Sequence, residues 1–358
     1  MKNILFIQDT LPCVRTLKIA TVLSEKGLNI NLLHSGKLDS IKKVNEIFKS
    51  ATKLKSLKRN KIKQIKRFIK ENSIDLIHYH NEPDILCSQI IEAKVSVPII
   101  YDQHDFLSPK RNMREKDLIA EKICNEKADG KIYITENYKN LVNKRYDLGN
   151  ENFILPNLLL SKTIPAQLRE KLSKKDGKIH LVFIGLITQH ENEIRNLIHH
   201  FQILSQKGFI IHVYPTRSKK YPIYESISNI VMHSQLPIDE LLEELTHYDF
   251  GILFLNMENV TKEKKEELRY GAWNKFYDYL SAGIPSITLS SYHYMEKLIR
   301  EHYLGMVFQS VEDINIESLS KFDRKKYEYL LDENRKKFSM ESIGNEIIQF
   351  YKRVVKKI

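Results

Sequence analysis

Cysteine is scarce: Cys13, Cys87 and Cys124 are the three in 358 residues, odd in number, far apart and without a Cys-x-x-Cys spacing. That excludes a disulfide scaffold and a cysteine-built zinc site, and it points to a reducing cytoplasm with three small side chains in the interior. No stretch approaches the roughly 20 apolar residues of a membrane-spanning helix; the best candidate, Phe250 to Leu255, is strand-sized. Met1 to Ile7 runs directly into Gln8-Asp9 without a small-residue cleavage site, so it reads as a first strand rather than a signal peptide. There is no internal repeat and no Asp-x-Asp pair, and arginine is sparse, 14 against 43 lysines. With 42% hydrophobic and 28% charged residues, what remains is a soluble globular chain. Its length fits two domains at about 150 residues each.

Positive charge is present in excess but in one place. Of the net +12, eleven charges lie between Ile41 and Lys70, where twelve basic residues face one acid, Glu46. The body outside that segment is nearly balanced, so the excess describes a segment and not a coat.

Short apolar runs at Ile4 to Ile7, Ile30 to Leu33, Leu76 to Tyr79, Ile99 to Tyr101, Ile132 to Ile134 and Phe153 to Leu155 are separated mostly by helix-length stretches. Continuous apolar strands alternating with helices predict a parallel sheet covered on both faces. Arg15 to Lys26 is the first helix, closed by Gly27. The pattern lapses over residues 156–178 and resumes with strands at His180 to Ile184, Phe209 to Tyr214, Ile230 to His233, Phe250 to Leu255, Pro285 to Thr288 and Met306 to Phe308. Helical periods at Asn192 to Gln206, Ile238 to Thr246, Lys275 to Ala282 and Tyr294 to His302 lie between them, and helices run from about Ile316 to the end. The fold class is α/β: two doubly wound, Rossmann-like domains, residues 1–158 and 176–338, with the final helix 339–358 returning to complete the first. In such folds ligands bind at the carboxyl ends of the strands.

The most specific stretch is Tyr270 to Ile287, YGAWNKFYDYLSAGIPSI. Asn274-Lys275 opens a helix whose N-terminus favours anions, and Asp278 falls one turn on, on the face of Lys275. A plain amphipathic helix with Lys275 and Asp278 paired on its surface is the competing reading. The whole string resembles the nucleotide-sugar motif of GT-B glycosyltransferases, particularly glycosyl transferase group 1 and the family 4-like enzymes. The resemblance extends thinly along the chain. Asp75 to His80 with Asn81, the segment IYDQHD ending at Asp105, Ile132 to Glu136, Leu155-Pro156-Asn157, Phe183-Ile184-Gly185 and Tyr248 to Gly251 are each similar to family segments in the same order.

The resemblance implies two domains facing across a cleft, an acceptor-side first domain and a donor-binding second domain, and transfer from a nucleotide-sugar to a glycan or lipid-linked acceptor in bacterial surface polysaccharide or glycolipid synthesis. It implies no cofactor and no bound metal, the leaving diphosphate being met by Lys275, the helix beginning at Asn274 and the Gly185 turn, with Asp278 on the ribose. Two positions depart from the family pattern: Tyr270 stands where retaining members place the first of two glutamates, and Gly185 is followed by Leu186-Ile187-Thr188-Gln189-His190 without the usual basic residues. Arg217, after the strand ending at Tyr214, is the expected compensating charge. A non-catalytic GT-B-like subunit and a nucleotide-sugar epimerase remain as alternatives.

In the first domain His104 is the expected catalytic group, donating to sugar hydroxyls or polarising the reacting centre, with Asp105 orienting it or acting as base. His80, at a strand end, and Glu82 are the acceptor-side candidates. His78 and His80 share a strand face, half of a metal site whose third ligand no spacing suggests.

Within the basic segment, Leu54, Leu57, Ile62, Ile65, Phe68 and Ile69 make an apolar stripe among the lysines. This reads either as a basic amphipathic helix docking on the inner face of an anionic membrane or as a solvated face whose stripe packs on its own domain. Polyanion or nucleic-acid binding through residues 41–70 is the remaining alternative. It is disfavoured because no nucleic-acid-binding motif accompanies the charge and no nucleic acid is expected as partner.

Overall fold

The computed structural model describes residues 1–38, 44–55, 58–110, 113–191, 193–258 and 260–356. Lys42, Lys43 and Leu57 of the basic segment, and Asn192, lie outside the described residues. The chain divides into two compact units: Met1–Pro156 together with the C-terminal helix Met340–Lys356, and Asn157–Ser339. Residues 157–175, where the sequence pattern lapses, are tied to the second unit, with Leu172 N–H donating to His247 O at 3.0 Å and Lys171 Nζ to Tyr248 O at 2.7 Å.

The first unit carries a seven-stranded parallel sheet of β1 (Asn3–Gln8), β2 (Asn29–His34), β3 (Ser50–Lys53), β4 (Leu76–His80), β5 (Ile99–Gln103), β6 (Gly130–Tyr133) and β7 (Asn152–Ile154), in the order β3-β2-β1-β4-β5-β6-β7. The apolar runs become its central strands because both faces are covered: Ile4, Leu5, Phe6, Ile7, Leu76 and Ile77 have no exposed surface. Strand order reverses between β1 and β4, which places a crevice at their carboxyl ends. The short edge strand β3 went unread because Ser-Ala-Thr-Lys carries no apolar run. The helix Val14–Glu25 ends at Gly27, whose φ of 85° is the left-handed turn that residue suits.

The basic segment resolves in favour of packing. In the helix Lys58–Glu71, Ile65 and Ile69 belong to the core beside Leu5, Ile7 and Tyr79, with Ile62 and Phe68 packed against it. The apolar stripe is therefore enclosed within its own domain, and the exposed face carries Lys63, Lys66, Arg67 and Lys70.

The second unit carries β8 (His180–Gly185), β9 (Ile210–Pro215), β10 (Ile230–Met232), β11 (Phe250–Ile252), β12 (Ser286–Leu289) and β13 (Gly305–Phe308), ordered β10-β9-β8-β11-β12-β13. Here the reversal lies between β8 and β11. The helix expected from Asn192 begins only at Ile198, because the residues before it form a turn held by Thr188 N–H on Arg195 O at 3.1 Å and by Tyr224, whose hydroxyl bonds Thr188 O and Leu197 N. A polar helix, Lys262–Tyr270, precedes the motif helix Asn274–Ala282.

The C-terminal helix completes the first unit. Phe350 stacks on Phe153 with ring centroids 5.3 Å apart, and Tyr351 hydrogen-bonds His78. Gly130 permits the approach: a Cβ there would stand 2.8 Å from Val354 Cγ2. Phe350 has no exposed surface, so Phe350→Ala is expected to cost about 3–5 kcal/mol in urea unfolding of the full chain; an unchanged midpoint would show that this helix adds nothing to the core.

Candidate functional site

The motif helix Asn274–Ala282 is seated at the β8–β11 switch point by Tyr279, whose buried hydroxyl bonds Val182 O and Ile252 O, each at 3.2 Å. Gly251 makes room for that ring, since a Cβ on it would lie 2.4 Å from Tyr279 Cδ2. The helix starts after Trp273 with no side-chain cap, which leaves N–H donors at its first turn, and ends at Gly283 in the left-handed region, φ 69°.

Lys275 is partly buried and reaches back over the sheet. Its Nζ stands 3.8 Å from the Phe183 ring centroid and 5.9 Å from that of Trp273. Gly185, at φ 126°, opens the backbone beneath it, and a Cβ there would meet Nζ at 3.8 Å. Among the described residues no carboxylate forms an ion pair with this ammonium. Burial, followed by the charge of Arg195, brings Lys275 down to about 7, against the opposing pull of Asp278. Arg195 is the basic residue that sequence reading missed, since it follows Gly185 by ten residues across a turn. Arg217, expected in that role, sits exposed on the loop after β9, and the charge felt at Lys275 is that of Arg195. Asn274 is exposed at the helix start and Asp278 is half-buried one turn on.

The first unit gathers a second polar group at the ends of β1, β4 and β5. Strand register sets His80 beside Asp102. Arg15 donates from Nε to Asp102 Oδ2 at 2.8 Å and from Nη2 to Oδ1 at 3.0 Å, both side chains being essentially without exposure. Burial opposes the charge of Asp102, yet Arg15 and the hydrogen bonds of His78 and His80 hold it well below the usual carboxylate range. An ionised Asp102 only accepts, so His78 carries its proton on Nε2, 3.4 Å away, and accepts from Tyr351 on Nδ1. Burial, then His78, pushes His80 down to about 3 and keeps it neutral.

This corrects two expectations. His80 does not face an acceptor: it has no exposed surface and lies stacked on His78, centroids 4.3 Å apart. A third potential ligand does exist, because His78, His80 and Asp102 have ligand atoms within 4.8 Å of one another. It comes from a neighbouring strand, which spacing along one strand cannot reveal. The Arg15 guanidinium already supplies a cation to both oxygens of Asp102.

His104 and Asp105 follow β5 on a turn clamped by Asn81, whose Oδ1 accepts from both backbone N–H groups at 3.2 and 3.3 Å while Nδ2 donates to Asp105 O at 2.6 Å. Burial lowers the basicity of His104, but a hydrogen bond to Cys13 and its charge, with Asp102 and Asp105, raise it to about 9. That direction favours the protonated imidazole, a hydrogen-bond donor. Glu82 lies between β4 and Pro83, half-buried, at φ 65°.

Residues 3–135 match the glycosyl transferase 4-like family, and residues 185–356 match the C-terminal domain of glucosyltransferase 3-like proteins. No curated protein matches the sequence. Among solved structures the chain is similar to a sucrose-phosphate synthase from Thermosynechococcus elongatus, at 11% identity and a TM-score of 0.73 over 100% of both chains. It is similar to a glycosyltransferase from Rickettsia africae, at 12% identity and 0.70 over 100% and 99%. It is also similar to Anabaena HepE in complex with UDP and glucose, at 12% and 0.70 over 98% and 99%.

The Arg15–Asp102 pair gives a test of the first unit's electrostatics. Asp102→Asn leaves a buried guanidinium uncompensated and is expected to cost about 3–5 kcal/mol in denaturant unfolding, whereas Arg15→Met with Asp102→Asn recovers most of that loss.

Proposed function

We propose that this chain, a glycosyltransferase of GT-B fold that uses a nucleotide-sugar donor, passes the sugar to a glycan or lipid-linked acceptor in making a bacterial surface polysaccharide or glycolipid, without a bound metal. The observation that carries the donor side is Lys275: a partly buried ammonium over Phe183, without an ion-paired carboxylate among the described residues, next to a glycine turn and a helix N-terminus. A cation held away from water and lacking an anion is complementary to one, and a diphosphate supplies it. Structures of HepE contain UDP, glucose and UDP-glucose, so a UDP-hexose is the first donor to try.

In this reading Lys275, Arg195 and the N–H groups at Asn274 and Lys275 take up the charge that develops on the departing diphosphate, work that fixed donors perform well where water is excluded. Asp278 accepts from the ribose hydroxyls. His104, its protonated form favoured, donates to oxygen on the transferred sugar, and Asp105 or Glu82 receives the acceptor's proton. Asn81 is a positioning residue for the turn that bears His104. The lysine face of the helix Lys58–Glu71 would hold the protein on an anionic membrane surface by charge alone, its apolar side being committed to the core.

Lys275→Met separates function from fold. The variant is expected to melt at or above the wild-type temperature, because an uncompensated partly buried charge is gone. It is also expected to lose the thermal shift given by UDP and to slow transfer by about 10²-fold or more. Product mass from a panel of nucleotide-sugars identifies the donor; wild-type turnover in this variant contradicts the donor site.

A further inference from the structure

The motif helix Asn274–Ala282 offers its N-terminal turn to the proposed donor site, and its carboxyl end is built as well. A helix leaves its last carbonyls without intrahelical donors. Here Gly283 N–H donates to Leu280 O at 3.1 Å and Ile284 N–H to Tyr279 O at 3.0 Å, the local closure that a left-handed residue permits. A further pair of donors comes from a distant part of the chain. Arg335, on the helix Arg324–Lys337, donates from Nε to Leu280 O at 3.1 Å and from Nη2 to Ser281 O at 2.7 Å. Its side chain is 11% exposed, whereas Asp332, 3.6 Å from Nη1, is 86% exposed, so the guanidinium is committed to the helix end more than to that acid. Gly283 leaves room for it: a Cβ there would stand 3.0 Å from Arg335 Nη2 and 3.2 Å from Leu331 Cδ2. The neighbouring Asn334 donates to His302 O at 3.1 Å, at the end of the helix His293–His302, so the helix that carries Arg335 is itself fixed.

A planar cation against the negative end of a helix dipole is a stabilising cap. Its place along this helix gives it a second consequence. Tyr279 fastens the helix to the sheet through Val182 O and Ile252 O. At about 1.5 Å per residue, Lys275 lies about 6 Å along the axis on one side of Tyr279, and Leu280 and Ser281 lie about 1.5 to 3 Å on the other. A tilt about Tyr279 therefore moves the Lys275 end roughly two to four times as far as the end that Arg335 grips. We propose that Arg335 is a positioning residue for the donor site: by holding the carboxyl end of the motif helix it fixes, across the Tyr279 pivot, where Lys275 and the first-turn N–H groups stand. The proposal rests on Lys275 being the donor cation.

Trp273, the only tryptophan in the chain, immediately precedes the helix, and Lys275 Nζ is 5.9 Å from its ring centroid, so its fluorescence reports on the far end without any ligand. In Arg335→Met, at a temperature well below the melting midpoint, Trp273 is expected to emit at longer wavelength and to be quenched more strongly by acrylamide than in the wild type. The dissociation constant for UDP is expected to rise about tenfold, since small displacements of positioned groups are costly. A cap with only a structural role lowers the melting temperature and leaves both values unchanged in the folded protein; that result overturns the proposal, and so does an altered Trp273 with unchanged UDP affinity. If Arg335→Met does not fold, Arg335→Gln should move both values in the same direction by less, and unchanged values there overturn the proposal equally. Absence of UDP binding to the wild type contradicts the donor site itself, while the Trp273 comparison still decides whether Arg335 fixes the far end of the helix.

Discussion

The ammonium of Lys275 rests on the Phe183 ring beside Arg195, with no ion-paired carboxylate among the described residues, and the carboxyl edge of the second unit is organised around that uncancelled charge. Each neighbouring choice makes the arrangement possible. Gly185 takes a backbone conformation, φ 126°, that a side chain would strain, Tyr279 pins the helix that carries Lys275 across β8 and β11, and Gly251 admits the Tyr279 ring. A protein that only needed to be stable would have paired or removed such a cation. Keeping it half-enclosed favours binding of an anion, and it makes the same residue a cost to the stability of the fold.

The first unit follows the opposite policy. Its deepest charges, Arg15 and Asp102, pair with each other through two hydrogen bonds, and the two histidines beside them are held neutral by burial. That closed group is a support and not a reaction centre. One layer out, on the turn clamped by Asn81, lies His104, whose proton affinity is raised to about 9. The C-terminal helix joins the support through Tyr351 on His78, so residues at the two ends of the chain fix one network.

Much of the fold was legible because parallel strands covered on both faces are written as uninterrupted apolar runs, and these mark all the central strands of both sheets. What escaped was polar: the edge strand Ser50–Lys53 and the helix Lys262–Tyr270, in which only Glu267 and Leu268 are buried. The placement of Asn274, Lys275 and Asp278 on one helix could be read, since it depends only on their spacing in the chain. Arg195, Asn81 and Asp102 could not, because their roles arise from contacts between separate strands and turns. The basic segment shows the limit of periodicity: the same stripe of Ile62, Ile65, Phe68 and Ile69 suits a membrane or a core, and only the packing of Ile65 and Ile69 against Leu5 and Ile7 decides.

The central claim is that the proposed donor site holds a lysine whose proton affinity is lowered to about 7 and which regains its proton against a bound diphosphate. Calorimetry of UDP binding at pH 8, repeated in two buffers of different ionisation enthalpy, measures this directly. The account predicts uptake of most of one proton per UDP bound, lost in Lys275→Met. Binding with no proton uptake, or uptake that persists without Lys275, would contradict it.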